Sequence, residues 1–137
     1  MRIIIAGGPR TGKTTLATQI LQADGFPVRS TDDLIGKLGW SEASAEVAEW
    51  FDDPGPWVIE GVAAARALRK WLGAHPTGSP CDAIVYLSVP KVDRTPGQNA
   101  MAKGCDTVWN EVRPSLVARG VKIVSAESFF VARGQPQ

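Results

Sequence analysis

Eight residues near the N-terminus, Gly7-Gly8-Pro9-Arg10-Thr11-Gly12-Lys13-Thr14, carry the spacing G-x-x-x-x-G-K-[ST]. Glycines at that distance let the backbone wrap its N–H groups around one anion where a Cβ would clash. The lysine and hydroxyl that follow suit a polyphosphate: Lys13 can reach the β and γ phosphates, and the Thr14 hydroxyl can ligate Mg2+. Thr15 continues the same stretch, while Arg10 faces either phosphate or solvent. The segment from Gly7 to Thr15 is therefore the candidate nucleotide-binding site.

Three other places carry groups that could act on a bound phosphate. Asp32 and Asp33 follow a short apolar segment, where one carboxylate could orient or deprotonate an acceptor hydroxyl. Ser30, Thr31 and Asp32 are also good helix caps. Two adjacent carboxylates cannot both face one phosphate without repulsion, so which of the pair would act as base is open. Glu60 ends the apolar run Trp57-Val58-Ile59, as an acid holding a Mg2+-bound water does, and Gly61 is expected to let a ligand approach closely. The segment Val89–Gly97 holds Lys91 and Arg94, either of which could neutralise a transferring phosphoryl group. Lys103 and Arg66 are further cations, Arg66 being suited to a phosphate on an acceptor. Trp40 is expected to line an acceptor pocket by stacking on a base, with the other four tryptophans mostly in the core.

Elements must bring these residues together, and the periodicities supply them. Residues 2–6 form a β-branched strand, and Leu16, Ala17, Ile20 and Leu21 mark a helix over 14–23 that stops at Asp24-Gly25. Strands follow over 26–31, 57–59, 83–87 and 121–124. Helices are expected from an N-cap at Ser41 to Phe51, over 62–74, and over 98–119 with a bend or restart at Pro114. Strands alternating with helices imply a parallel sheet covered on both faces, with ligands bound outside the carboxyl ends of its strands. The phosphate loop, the two aspartates, Glu60 and the basic loop all fall at those ends.

The chain of 137 residues suits one domain over 1–137, and its 44% hydrophobic and 21% charged residues are those of an ordinary globular protein. A net charge of +1 gives no global attraction to nucleic acid or membrane. Residues 85–137 are the more basic part, with seven Lys/Arg against four Asp/Glu. No apolar run is long enough for a membrane span, and the start does not read as a signal peptide. Cys81 and Cys105 lack metal-ligand spacing, so reduced thiols and a cytoplasmic location are expected. His75 sits in a turn-rich stretch and is read as a loop residue.

Together these features resemble the P-loop kinases that act on small molecules, nucleotides and polynucleotides. The resemblance rests on Gly7–Thr14, Asp32 after the second strand, Val58-Ile59-Glu60-Gly61 and the basic loop with Arg94. It implies a three-layer α/β/α fold of about five parallel strands with a short lid, acting with ATP and Mg2+ on a hydroxyl acceptor. By resemblance Asp32 is the acceptor-side base, Glu60 the Walker B-type acid, Arg94 the lid arginine, and Ser125-Ala126-Glu127 a contact to adenine. The compact size and short lid also resemble phage kinases of hydroxymethylated pyrimidines, such as 5-hydroxymethyluracil, in DNA, so nucleic acid stands among the acceptors. Oligomeric state is not legible. The rival classes are a non-catalytic nucleotide sensor and a GTPase or ATPase switch. For the GTPase, Pro90 stands where the guanine-reading asparagine of N-K-x-D belongs.

Overall fold

The computed structural model describes residues 1–125. The notion of a contact from Ala126 and Glu127 to adenine lies outside them. Five strands, β1 (Arg2–Gly7), β2 (Val28–Ser30), β3 (Trp57–Gly61), β4 (Ala83–Leu87) and β5 (Lys122–Val124), form one sheet. The strand order is β2-β3-β1-β4-β5, and every pairing is parallel. Four α-helices connect them: α1 (Lys13–Asp24), α2 (Trp40–Trp50), α3 (Ala64–Ala74) and α4 (Pro96–Ala118).

Alternation along the strands splits the core in two. Ile4, Ile59 and Ile84 face α2, α3 and α4, where they pack with Val47, Phe51, Leu68, Trp71, Trp109 and Leu116. Ile3, Ile5, Val58 and Val85 face the other way, onto Leu16, Ala17 and Ile20 of α1. Because both faces are covered, β1 reads as an unbroken apolar run and its isoleucines are wholly buried. Glu60 stands two residues after Val58 and so faces α1. That parity decides which helix its carboxylate meets.

Several boundaries differ from the expectation. The second helix starts at Trp40 with Gly39 as its cap, so Ser41 lies inside it and its hydroxyl accepts from Lys70 Nζ at 3.0 Å. The third helix starts at Ala64 rather than 62, because Ala63 N donates to Thr31 Oγ1 (3.4 Å) and fixes the exit from β3. Pro114 neither ends nor restarts α4. It sits on the exposed side, where the carbonyl deprived of its donor meets water, while Val108, Trp109, Val112 and Leu116 keep the buried side continuous. Trp50, one of the four tryptophans expected mostly in the core, is half-exposed and stacks under Arg29 at 3.7 Å. No helix among the described residues is long and apolar enough to cross a membrane.

Candidate nucleotide and acceptor site

The parallel register brings the expected residues to one rim. Ile5 pairs with Glu60, Ala6 with Gly61, and Gly7 with Leu87, so the phosphate loop leaves the sheet between β3 and β4. A cleft there is walled by Pro9 to Thr15, Asp32, Val62, Gln98 and Met101. A second, more apolar pocket lies on the α1 side of the loop, walled by Thr11, Gly12, Thr15, Leu16, Gln19, Leu87 and Lys91.

The loop's glycines are required for different reasons. A Cβ on Gly7 would fall on the Leu87 carbonyl oxygen, and one on Gly8 would sit 2.7 Å from Ala102 Cβ. Gly12 has room, but its φ of 91° is left-handed. Arg10 also takes a left-handed turn (φ 61°), and its side chain is exposed. No side chain caps α1, whose N-cap is Gly12. The first N–H groups of the helix are thus left for an anion, and the helix dipole favours one there. By contrast α4 carries a complete capping box between Thr95 and Gln98.

Lys13 is buried and lies back along the loop, donating to Gly8 O at 2.5 Å and Thr11 Oγ1 at 3.3 Å. Burial pushes its pKa down, against attraction from Glu60 and Asp32. Glu60 is 1% exposed. Its Oε1 accepts from Thr14 Oγ1 at 3.4 Å, and its Oε2 has no partner among the described residues. Burial raises its pKa and the charge of Asp32 adds to this; the hydroxyl of Ser30, the charge of Lys13 and the hydroxyl of Thr14 oppose it. A carboxylate and a hydroxyl side by side, with one oxygen unsatisfied, fit a hard cation such as Mg2+. Among the described residues no cluster of three or more His, Cys, Asp or Glu could hold a metal by itself. This suits an ion that takes its other ligands from phosphate and water.

Of the two aspartates, Asp32 walls the cleft and Asp33 does not. Both are exposed and sit in a short 3-10 turn, Thr31–Asp33, capped by Ser30, whose Oγ accepts from Asp32 N at 3.2 Å. The cap is therefore Ser30, which leaves the Asp32 carboxylate available to the cleft. Gly61 does not serve a ligand as expected. A Cβ there would collide with Thr31 Oγ1, so Gly61 admits Thr31 and holds the Asp32 turn against β3.

The basic loop between β4 and α4 is tied down at two points. Lys91 N donates to Arg10 O (2.7 Å) and Arg94 Nε to Pro9 O (2.8 Å). Arg94 Nη2 is buried and unpartnered among the described residues, and it would be 3.0 Å from a Cβ on Gly8. The Lys91 side chain lies over Gly12, and Lys103 is exposed. Arg66, read as a cation suited to an acceptor phosphate, is half-buried, with Nη1 unpartnered among the described residues and the guanidinium 5.2 Å from the Trp40 ring. Ser125 follows β5 and is exposed. Tyr86, which sequence reasoning passed over as a plain strand residue, stacks on Trp109 at 4.7 Å and donates to Asp106 Oδ1, fastening α4 beside the rim.

No family model and no curated protein sequence matches this chain. Its fold does match solved structures. One is shikimate kinase from Acinetobacter baumannii in complex with shikimate, with a TM-score of 0.54 and 14% identity over 89% of this chain and 81% of that one. Another is a gluconokinase from Sinorhizobium meliloti, with a TM-score of 0.59 and 16% identity over 90% of this chain and 81% of that one. The strand order, the phosphate loop between β1 and α1, and these two likenesses together place the chain in the fold of the P-loop kinases.

Proposed function

We propose that this protein is an ATP- and Mg2+-dependent kinase that transfers the γ-phosphate to a hydroxyl of an acceptor held beside Asp32. One observation carries the reading above all others. A buried Glu60 with an unpartnered oxygen stands next to the Thr14 hydroxyl at the mouth of the phosphate loop. A purely structural glycine-rich turn has no use for that arrangement, which is destabilising without a cation.

Each residue then has a distinct task. The backbone from Gly8 to Thr15 cradles the phosphates, with Gly7 setting the loop's departure from β1, and Lys13 leaves Gly8 O to meet the β and γ phosphates. Thr14 and Glu60 hold Mg2+, which supplies charge neutralisation across the phosphates when bound. Asp32 accepts the proton of the acceptor hydroxyl, and Asp33 stays in solvent. Arg94, oriented by Pro9 O, offers Nη2 to the phosphoryl group in transfer. The apolar pocket by Leu16 and Leu87 suits the nucleoside part of ATP.

The two structural neighbours act on small molecules, as their names state, and this supports a small-molecule acceptor here. A hydroxymethylated pyrimidine in DNA is the second reading. It is favoured by the short loop over residues 88–95, which leaves the Asp32 side of the rim uncovered. The deciding experiment incubates the protein with γ-labelled ATP and Mg2+ against sugars, sugar acids, nucleosides, nucleotides, 5′-hydroxyl oligonucleotides and hydroxymethylpyrimidine DNA. A kinase labels one class. Tight Mg·ATP binding with no transfer to any class would instead mean a nucleotide sensor.

A further inference from the structure

Ser30 ends β2 where the sheet hands over to the turn bearing Asp32. In the register of β2 and β3 it stands directly beside Glu60. Val28 and Val58, paired two residues earlier, both pack in the core on the α1 side. By the alternation of a strand, Ser30 and Glu60 leave the sheet on that side too. Thr31 takes the opposite face, where Gly61 admits it and its Oγ1 accepts from Ala63 N at 3.4 Å. The turn of Asp32 is thus fastened on both faces, and the Ser30 side is the one that meets the Glu60 carboxylate.

A hydroxyl in that position can serve two partners with one oxygen. Ser30 Oγ accepts from Asp32 N at 3.2 Å, which uses a lone pair and leaves its own proton to give. Glu60 is 1% exposed, and its Oε2 has no hydrogen-bond partner among the described residues. Burial raises the pKa of Glu60; of the influences that oppose this, the Ser30 hydroxyl is the largest, ahead of the Lys13 charge and the Thr14 hydroxyl. A plain cap needs no such neighbour. Aspartate caps a turn as well as serine does, but it has no proton to offer a carboxylate. Ser30, Glu60 and Thr14 form a row of hydroxyl, carboxylate and hydroxyl. That is how a metal-binding acid is held by an outer partner that fixes its orientation.

We propose that Ser30 is a positioning residue that joins the Mg2+ acid to the acceptor-side base. Its hydroxyl orients Glu60 towards the cation and, through the same oxygen, sets the turn that presents Asp32 to the cleft. With the cation held by Thr14 and Glu60, the Ser30 hydroxyl lies against an oriented carboxylate, and the Asp32 turn is held more firmly. The base is therefore best ordered once the metal nucleotide is in place. This rests on the reading of Thr14 and Glu60 as the Mg2+ pair. No proton transfer passes through Ser30; it acts through its two neighbours.

Two measurements test this without any acceptor: amide exchange at Asp32 by heteronuclear NMR, and ADP affinity by calorimetry, each with Mg2+ and with EDTA. In wild type, Mg2+ is expected to tighten ADP and, at saturation, to slow exchange at Asp32 several-fold relative to ADP alone. Ser30→Ala should cut the Mg2+-dependent gain in ADP affinity about tenfold and leave ADP affinity in EDTA unchanged. It should also abolish the response of Asp32 to Mg2+. Ser30→Thr keeps the hydroxyl on a side chain suited to a strand and should restore both. Melting curves without nucleotide check that each variant folds; should Ser30→Ala not fold, Ser30→Cys, a small side chain with only a weak donor, takes its place. A mere cap gives a different result: faster exchange at Asp32 in Ser30→Ala, with the same Mg2+ dependence of ADP binding as wild type. That result overturns the link and leaves the Mg2+ pair standing, and Ser30→Thr behaving like Ser30→Ala also overturns it. If Mg2+ does not tighten ADP in wild type, the Mg2+ pair itself is refuted and the link falls with it.

Discussion

Replacing Glu60 by Gln should make the empty protein more stable and the nucleotide-bound protein less so. Glu60 is wholly buried, accepts one long hydrogen bond from Thr14, and leaves Oε2 without a partner. A buried polar oxygen lacking a hydrogen bond costs about 1–3 kcal/mol, and more when it is charged. The Ser30 hydroxyl and attraction to Lys13 recover part of this, so the expected gain from Gln is about 1–2 kcal/mol. With an unfolding entropy of about 2.1 cal/mol/K per residue, each kcal/mol moves the melting temperature of a chain this long by about 3–4 °C. The empty variant should therefore melt about 3–8 °C above wild type at neutral pH. The sign against pH follows from the direction of the shift. The folded-state pKa of Glu60 is raised, mainly by burial, so the folded protein binds this proton more tightly than the unfolded chain. Wild type thus gains stability from this group as pH falls from neutral through the raised pKa towards the ordinary value of 4.5, and its gap to the Gln variant narrows. Mg·ATP at a hundred times its Kd stabilises wild type by about 2.7 kcal/mol, and the variant should lose most of the Mg2+-dependent share. Differential scanning fluorimetry with and without Mg·ATP reads both effects. If the empty variant melts below wild type, or its Mg·ATP shift equals that of wild type, the account of Glu60 as a carboxylate waiting for a cation is wrong.

Three other outcomes follow from the same site. Asp32→Asn should lower kcat by about 10²–10⁴ with Mg·ATP affinity unchanged, whereas Asp33→Asn should stay near wild type; steady-state kinetics on the acceptor found in the labelling panel distinguish them. Equal losses in both would remove the assignment of Asp32 as base. Lys13→Met should weaken transfer by at least about 100-fold while the fold survives, since the methionine fills the same buried space without a charge to desolvate. Gly61→Ala should destabilise by well over the roughly 1 kcal/mol expected of Gly25→Ala. The added Cβ meets Thr31 in the first case and nothing within 4 Å in the second, although both glycines have positive φ. Paired chemical denaturation curves decide it.

The sequence by itself determined the phosphate loop and the layered sheet around it. Gly7, Gly12, Lys13 and Thr14 are a local pattern, needing only a strand before and a helix after, and the isoleucines of β1 and the periodicity of α1 supply both. The five parallel strands were legible for the same reason, since β-branched runs alternating with amphipathic stretches admit few topologies. Helix starts were less legible. Trp40 opens α2 and Ala64 opens α3 without any capping side chain, so nothing local marks them.

What only the tertiary structure decided concerns residues whose neighbours are distant in sequence. Gly61 looked like room for a ligand and proved to be room for Thr31, thirty residues earlier. Asp32 and Asp33 are equivalent in the chain, and only the packing of the 3-10 turn on β3 puts the first in the cleft wall. Arg66 could be read in the chain as a cation suited to an acceptor phosphate, but its half-burial between Trp40 and Gly104, each from another helix, belongs to the fold. A motif is legible when its chemistry lies within one turn of backbone. Burial, and the missing partner that burial makes costly, belong to the assembled fold.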